Sequence, residues 1–194
     1  GAIETYTGNT NLNYACCRTI HLEKQGALPG RGALVVDPCG RVPFFRLATD
    51  INGIEPVTYE FSRITLTNAG CLLVGAGNTV LARTTVIESH GQESGIWLSG
   101  GTLEVHSGFA WSNFYVGVSA TGSVFNPGMV ASNAVFIVDA PHVIANDLIV
   151  SGGGVVTHST NSTQEVNRLD LTVQGRLSVL AGGRIDAVGK GYGM

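Results

Sequence analysis

Apolar residues recur two apart along the chain and are followed by a glycine, in the order apolar-x-apolar-x-x-x-Gly-x-apolar. Residues two apart in an extended segment point to the same face, so each apolar pair predicts a short strand with one buried face. The glycine that follows predicts a turn. The pattern occurs five times without deviation, and its copies begin at Ile20, Leu34, Ile64, Val116 and Leu169.

Two further copies depart from this pattern. The copy at Ile96 is one residue shorter, and the copy at Phe136 carries His142 in place of glycine. We expect His142 to be a hydrogen-bonding turn residue. A second pattern, Leu-x-Val-x-x-Gly-x-x-apolar, begins at Leu72, Leu103, Leu148 and Leu177.

Units of this kind cannot bury their inward faces alone, so successive copies must stack to form a continuous core. Successive starts lie between 14 and 33 residues apart, and the intervals of 20 to 33 suit one coil of two or three short strands. We therefore predict an all-β protein, a parallel β-solenoid with an irregular N-terminal cap. The alternative is an antiparallel β-sandwich, because short glycine turns also permit hairpins.

The chain divides into two predicted regions. The 14-residue interval from Ile20 to Leu34 is too short for a coil and predicts a hairpin or an irregular cap. We predict a cap region over residues 1–62 and solenoid coils over residues 63–194. Because Gly193 and Met194 directly follow a repeat, we expect the solenoid to continue beyond the C-terminus in a longer protein.

Residues 64–194 resemble right-handed parallel β-helix proteins of the pectin-lyase-like type. The tract LTVQGRLSVLAGGRIDAVGKGYG (171–193) is similar to repeats in large secreted or surface-displayed bacterial proteins. The resemblance covers about two-thirds of the chain and rests on a degenerate structural motif. It implies a stacked-coil fold and a secreted or cell-surface location, and it implies no activity.

Enzymes of this fold class cleave acidic polysaccharides with carboxylates, or with Arg and Lys and calcium, aligned on one outer face. Neither outward column of the aligned repeats stacks acidic residues, so no carboxylate pair can be assigned. The sequence therefore favours a protein without catalytic residues. The first column is Thr65, Trp97, Gly117, Ile137 and Asp170, and the second is Leu73, Glu104, Phe125, Ile149 and Ser178.

Three residues are candidates for ligand binding. Trp97 lies between two inward residues, so its indole is predicted to face outward, either exposed to a sugar or a protein partner or covered by the loop 82–95. Glu104 and His106 lie two apart and could share a proton or a metal ion, or belong to a solvated strand face. No histidine has the spacing of a metal site, and we predict no metal and no cofactor.

Composition and net charge argue against several classes of protein and partner. Apolar residues make up 44% of the chain and charged residues 13%, which excludes a disordered chain. The net charge is −3 with only 11 Lys and Arg and no basic cluster, which argues against a nucleic-acid surface. No apolar run reaches the length of a membrane span.

The four cysteines lack the paired spacing of a zinc site. They are disulfide candidates whose pairing the sequence leaves open, or structural thiols. An Asn-Ser-Thr sequon at Asn161 is compatible with secretion. The cysteines are Cys16, Cys17, Cys39 and Cys71.

Two functions follow from these features. The first is a structural or adhesive extracellular module of a surface protein or filament. An open solenoid end exposes unpaired strand edges, which favours either continuation of the solenoid or end-to-end self-association. The second is a protein that binds or cleaves polysaccharide, with Trp97 as a stacking platform. A cluster of acidic, arginine and aromatic residues facing outward over three neighbouring coils would favour the second.

Overall fold

The computed structural model describes residues 3–7, 18–22, 32–38, 49–51, 56–82, 87–90, 93–105, 109 and 112–191. These residues form strands and turns and contain no helix. The strands are β1 (Ile3–Thr7), β2 (Arg18–Leu22), β3 (Ala33–Asp37), β4 (Thr49–Ile51), β5 (Thr58–Phe61), β6 (Arg63–Thr67), β7 (Cys71–Gly75), β8 (Thr79–Ala82), β9 (Ile87–His90), β10 (Gly95–Ser99), β11 (Thr102–Val105), β12 (Tyr115–Ala120), β13 (Val124–Phe125), β14 (Met129–Val130), β15 (Val135–Val138), β16 (His142–Ile144), β17 (Leu148–Val150), β18 (Val155–Thr157), β19 (Leu171–Val173), β20 (Leu177–Val179) and β21 (Arg184–Ile185).

Parallel strands stack as a β-solenoid of about four turns, which confirms the predicted fold. The longest sheet has the order β21-β18-β15-β12-β10-β7-β4, and every neighbouring pair in it is parallel. Three shorter parallel sheets, β13-β11-β8-β5, β14-β17-β20 and β16-β19, and the parallel strands β3-β6-β9 of the five-stranded sheet form the other sides. Because strands distant in sequence pair in parallel, the alternative of an antiparallel sandwich is excluded.

A regular register governs the central coils. Gly95, Tyr115, Val135 and Val155 align across neighbouring strands, so each of these coils spans 20 residues. The last coil departs from this length, because Val155 aligns with Arg184, 29 residues later. The nine extra residues lie between β18 and β19.

Several predicted equivalences are wrong. Leu72 and Leu103 were expected to begin matching units, but Leu72 pairs with Ile96 and Leu103 pairs with Val80 in another sheet. Ile64 and Ile96 were expected to begin matching units, but Ile64 pairs with Ile87 whereas Ile96 pairs with Leu72 in the seven-stranded sheet. The strands of one coil share nearly the same apolar pattern, so the pattern alone does not tell which side of the coil a strand occupies. The predicted interval from Leu34 to Ile64 is confirmed, since these two residues pair in parallel.

The N-terminal strands differ from the rest. Strands β1, β2 and β3 pair antiparallel in that order, and β3 then pairs in parallel with β6. The antiparallel pairing of β2 with β3 agrees with the hairpin expected between Ile20 and Leu34. Strands β4 and β5 pair in parallel with β7 and β8. The domain boundary at residue 62 stays a prediction.

One continuous apolar core runs through the coils, from Leu34 to Val156. Its members alternate with outward residues, and Ile96 and Leu98 are both fully buried. Phe125, expected to face outward, is instead fully buried and packs edge-on against Phe136 at 5.7 Å between ring centroids. Strand β13 has only two residues, and its outward residue is Val124.

Turns also stack from coil to coil. Asn113 and Asn133, 20 residues apart, both have positive φ, and the Asn133 side-chain amide donates to the Asn113 side-chain oxygen at 3.4 Å. Gly153 continues this row with a φ of 86°. Side-chain stacking of this kind adds hydrogen bonds along a solenoid, so the turns reinforce the 20-residue register.

Candidate functional site

Trp97 lies on the outer face of β10 and is nevertheless buried, with 6% of its surface exposed. Its ring packs against Tyr115 at 5.7 Å between centroids and lies over Gly117, where a Cβ atom would overlap the indole. Trp97, Gly117 and Ile137 of the predicted outward column align across three strands, whereas Thr65 of that column pairs with Glu88 in a different sheet. Because so little of the indole is exposed, it offers no open ring face on which a sugar could stack.

Of the acid and the histidine predicted to lie two apart on one strand face, only the acid falls within the described residues. Glu104 is exposed in β11 and lies opposite Leu81 of β8. His106 falls outside the described residues, so a shared proton or metal ion at this pair stays a prediction. Trp111, which follows Gly108 at the last apolar position of the second pattern and is therefore predicted to lie in the core, also falls outside them.

Only one of the four cysteines lies within the described residues. Cys71 is buried at the start of β7, and the Tyr115 hydroxyl lies 3.4 Å from its Sγ. Cys16, Cys17 and Cys39 lie outside the described residues. Disulfide pairing among the four therefore stays a prediction.

His142 joins two coils at a point where no backbone ladder is described between β13 and β16. It is 4% exposed, and its Nε2 lies 2.8 Å from the Phe125 carbonyl oxygen. A carbonyl oxygen can only accept, so Nε2 carries the proton. The Asn126 side-chain oxygen accepts the Ala145 amide at 2.8 Å and forms a second bond across the same junction.

Burial shifts the titration of this histidine. Desolvation lowers the pKa of His142 below its ordinary value, and the hydrogen bond to Phe125 opposes that change. The ring also packs edge-on against Phe136 at 5.7 Å. His142 is thus the hydrogen-bonding residue that was expected, but it begins a strand and points inward instead of occupying a turn.

Asn161 organises the nine-residue insertion. It is 8% exposed, and its side-chain oxygen accepts the amides of Val166 and Asn167 at 2.9 and 2.7 Å. Its side-chain Nδ2 donates to the carbonyl oxygens of Asn167 and Lys190 at 2.8 and 3.1 Å. We call this arrangement the Asn161 clasp, and it ties the insertion to the C-terminal segment.

The clasp bears on the sequon. The Nδ2 atom of Asn161 is the atom that would carry a glycan, and in the folded chain both of its hydrogens are directed at carbonyl oxygens. A glycan is bulky and requires a surface position. Glycosylation of Asn161 is therefore incompatible with the folded arrangement of residues 161–190.

A shallow groove of about 380 Å³ lies beside the insertion. Two of its charged side chains already have partners: Asp139 accepts the Ser159 amide at 2.6 Å, and Arg168 pairs with Asp170 at 3.2 Å. These contacts hold the insertion in place and do not assemble a reactive group. The groove is lined by Asp139, Pro141, Glu165, Val166 and Arg168.

The last described coil exposes residues that are buried in the coils before it. Strands β19, β20 and β21 are each the last strand of a sheet and pair on one side only. Their inward residues continue the core columns but are partly or largely exposed. We call this surface the C-terminal face, formed by Leu171, Val173, Leu177, Val179 and Ile185.

Within the described residues, no group of three or more His, Cys, Asp and Glu side chains is placed to hold a metal ion. No helix in the described part of the chain is long and apolar enough to cross a membrane.

Comparisons with known proteins give no relatives: no protein family, no curated protein and no solved structure matches this chain. The resemblance to pectin-lyase-like and bacterial surface proteins thus has no family match, whereas the β-solenoid fold is established by the strand pairing.

Proposed function

We propose that this chain is a structural and adhesive module of an extracellular surface protein or filament. Its regular coils would provide a stiff spacer, and its loops and end would make the contacts. The resemblance of residues 64–194 to β-helix repeats of secreted and surface proteins supports an extracellular location.

One observation carries the proposal: a single core continues from coil to coil, with buried residues aligned in the same column of neighbouring strands. Residues in the same column are all fully buried, as in Leu72, Ile96, Val116, Phe136 and Val156. A core without a break does not bend between coils as a linker does, because close-packed interiors resist deformation. A spacer needs this property.

The buried state of Trp97 bears on the choice between the two functions. The polysaccharide candidate used this indole as a stacking platform, and 6% exposure leaves that role without a surface. No other outward aromatic residue is aligned with acids or arginines over neighbouring coils among the described residues. The structural role is therefore the one we propose.

The location is tested on cells that carry the natural gene. Antibodies against the chain should label intact cells or the medium, and added protease should remove the label. Detection of the chain only after the cells are lysed would overturn the extracellular part of the proposal.

The spacer role is tested by removing whole coils. Deletion of residues 115–134 joins Phe114 to Val135 and preserves the register, so the shortened chain should fold, with its long axis reduced by about 4.8 Å in X-ray scattering. Cell adhesion should persist. Deletion of residues 115–124 is the matched control, which breaks the register and should abolish folding and adhesion together. Loss of adhesion by a folded whole-coil deletion would contradict a spacer.

A further inference from the structure

We propose that the junction between β13 and β16, which we call the seam, is a point at which acid opens the solenoid. When His142 takes up a proton these two strands separate, while the ladders that join β12 to β15 and β14 to β17 stay closed. The separation exposes the buried Phe125 and Ile144 on one side of the solenoid only. This inference concerns the response of the fold to pH and does not rest on the proposed function.

The seam interrupts an otherwise continuous side of the solenoid. On this side β11 pairs in parallel with β13, and β16 pairs in parallel with β19. Between β13 and β16, no backbone hydrogen bond is found among the described residues. Prolines flank both strands, since Pro127 follows Asn126 after β13 and Pro141 directly precedes β16. Proline has no backbone N–H to donate, so the ladder cannot extend at these two positions.

Two side-chain hydrogen bonds take the place of the ladder at the seam. The His142 Nε2 donates to the Phe125 carbonyl oxygen at 2.8 Å, and the Asn126 side-chain oxygen accepts the Ala145 amide at 2.8 Å. Only histidine, of the two side chains, changes its charge near neutral pH. The seam is therefore held by fewer hydrogen bonds than the neighbouring ladders, and one of them belongs to a titratable group.

The site of the His142 ring suits its neutral form. The residue is 4% exposed, and Phe136 packs edge-on against the ring at 5.7 Å between centroids. Since Nε2 already carries a proton, a second proton has to enter at Nδ1, for which no hydrogen-bond acceptor is found among the described residues. A buried charge without a partner is costly, and water relieves that cost once the ring is exposed. Protonation therefore favours the open seam.

No neighbouring acid offsets the cost of this charge. The strands that pack against the ring, β13, β15 and β19, contain no titratable side chain. Of the acids that flank these strands, Asp139 accepts the Ser159 amide and Asp170 pairs with Arg168. Burial is the main cause of the lowered pKa of His142, and the hydrogen bond to Phe125 opposes it. The response to acid is thus assigned to this one ring.

Amide hydrogen exchange at pH 7.5 and 5, corrected for the intrinsic effect of pH on exchange, locates the opening. The Ala145 amide, whose acceptor lies across the seam, should lose about tenfold of its protection at pH 5, because the open state binds a proton that the closed state excludes. The amides of Val135 and Ile149 bond across the two neighbouring ladders and should keep their protection. Equal loss at all three amides, or no loss at Ala145, would overturn the inference.

Two histidine variants assign the effect to one ring. His142→Gln keeps a donor for the Phe125 carbonyl and cannot take up a proton, so Ala145 should keep its protection at pH 5. His158→Gln is the matched control, because His158 is also buried, at 8% exposed, but its Nδ1 lies 2.8 Å from the carbonyl oxygen of the adjacent Ser159. This variant should lose protection at Ala145 as the unmodified chain does. The reverse result would assign the response to another group.

The unmodified chain supplies a test that does not depend on a variant that folds. A nuclear magnetic resonance titration of the His142 ring should have its midpoint below pH 6.5, the ordinary value for histidine, because the closed seam disfavours the charged ring. Protection of the Ala145 amide should begin to fall near pH 6.5, where the ring of the open state takes up its proton. A ring midpoint at or above 6.5 would mean that the closed seam accepts the charge, and would overturn the inference.

Discussion

The first and the last coils that the structure describes differ in how far they bury the same kind of residue. At the N-terminal end, Leu34 and Val36 of β3 are 4% and 0% exposed, and two antiparallel strands extend the sheet beyond them. At the other end, Leu177 and Ile185 continue the core columns but are nearly half exposed. A repeat alone therefore does not decide burial, since each coil depends on the next one to cover it.

The largest expected effect is a difference in the free energy of unfolding between alanine variants of Leu34 and Leu177, which lie in the first and last described coils. Leu34→Ala should lower the free energy of unfolding by about 2 to 5 kcal/mol, because it leaves a cavity in the core. Leu177→Ala should cost less than about 1 kcal/mol, since nearly half of that side chain is already exposed to water. Urea unfolding of both variants measures the difference, and equal losses would mean that the ends are equally covered.

A smaller and local effect should come from the Asn161 clasp. Asn161→Ala removes the side-chain partner of three backbone groups, the amides of Val166 and Asn167 and the carbonyl of Asn167, whereas the Lys190 carbonyl keeps the Asn161 backbone amide. The free energy of local opening should fall by about 1 to 3 kcal/mol. Amide exchange should accelerate at Val166 and Asn167 but not at Leu66 in the N-terminal half. Asn161→Asp keeps the accepting oxygen, so its exchange rates should lie between those of the unmodified chain and those of Asn161→Ala. Uniform acceleration along the chain would mean that the clasp supports the whole fold.

Acid should weaken the half of the solenoid that contains His142. The pKa of His142 is lowered in the folded chain. Below about pH 6.5 the unfolded chain therefore binds more protons than the folded chain. The free energy of unfolding should decrease as the pH is lowered, by at most about 1.4 kcal/mol per pH unit. Urea unfolding between pH 7.5 and 5 measures this slope. His142→Gln keeps a donor for the Phe125 carbonyl and should flatten it. An unchanged slope would assign the pH dependence to other groups.

The smallest effect is expected on the C-terminal face itself. Val179→Thr should change the free energy of unfolding by less than about 0.5 kcal/mol, since the side chain is 48% exposed, but should reduce dye binding. Val36→Thr makes the same chemical change at the covered end and should cost clearly more, because it buries a hydroxyl. Fluorescence titration with unfolding curves tests both, and a large loss for Val179→Thr would contradict the exposed state.

Much of the fold could be predicted from the sequence because inward residues two apart are a direct consequence of strand geometry. The interval between Ile96, Val116 and Phe136 predicted the true register, and Leu148 with Val150 were correctly matched to Leu177 with Val179. The side of the coil was not predictable. Strand patterns on different sides are alike, and the identity of the side depends on the lengths of the turns between them.

The candidate site was less predictable, because exposure depends on neighbours in other coils. Trp97 was expected to face outward, and its indole lies against Tyr115 and over Gly117, 20 residues later, where a side chain would overlap it. The sequence identified Asn161 only as part of a sequon. No local pattern predicts that its side-chain amide donates to the carbonyl oxygen of Lys190, 29 residues later. The equal spacing of Asn113 and Asn133 was a signal that could have found the stacked turn.

The 20-residue register of the central coils has a consequence for how the gene can change. An insertion or loss of 60 base pairs in frame adds or removes one whole layer, so Phe114 can precede Val135 as naturally as it precedes Tyr115. Shorter changes have to be absorbed by a bulge at the side, as the nine residues between β18 and β19 are. In-frame insertions and deletions can therefore change the length of this solenoid in steps of one coil.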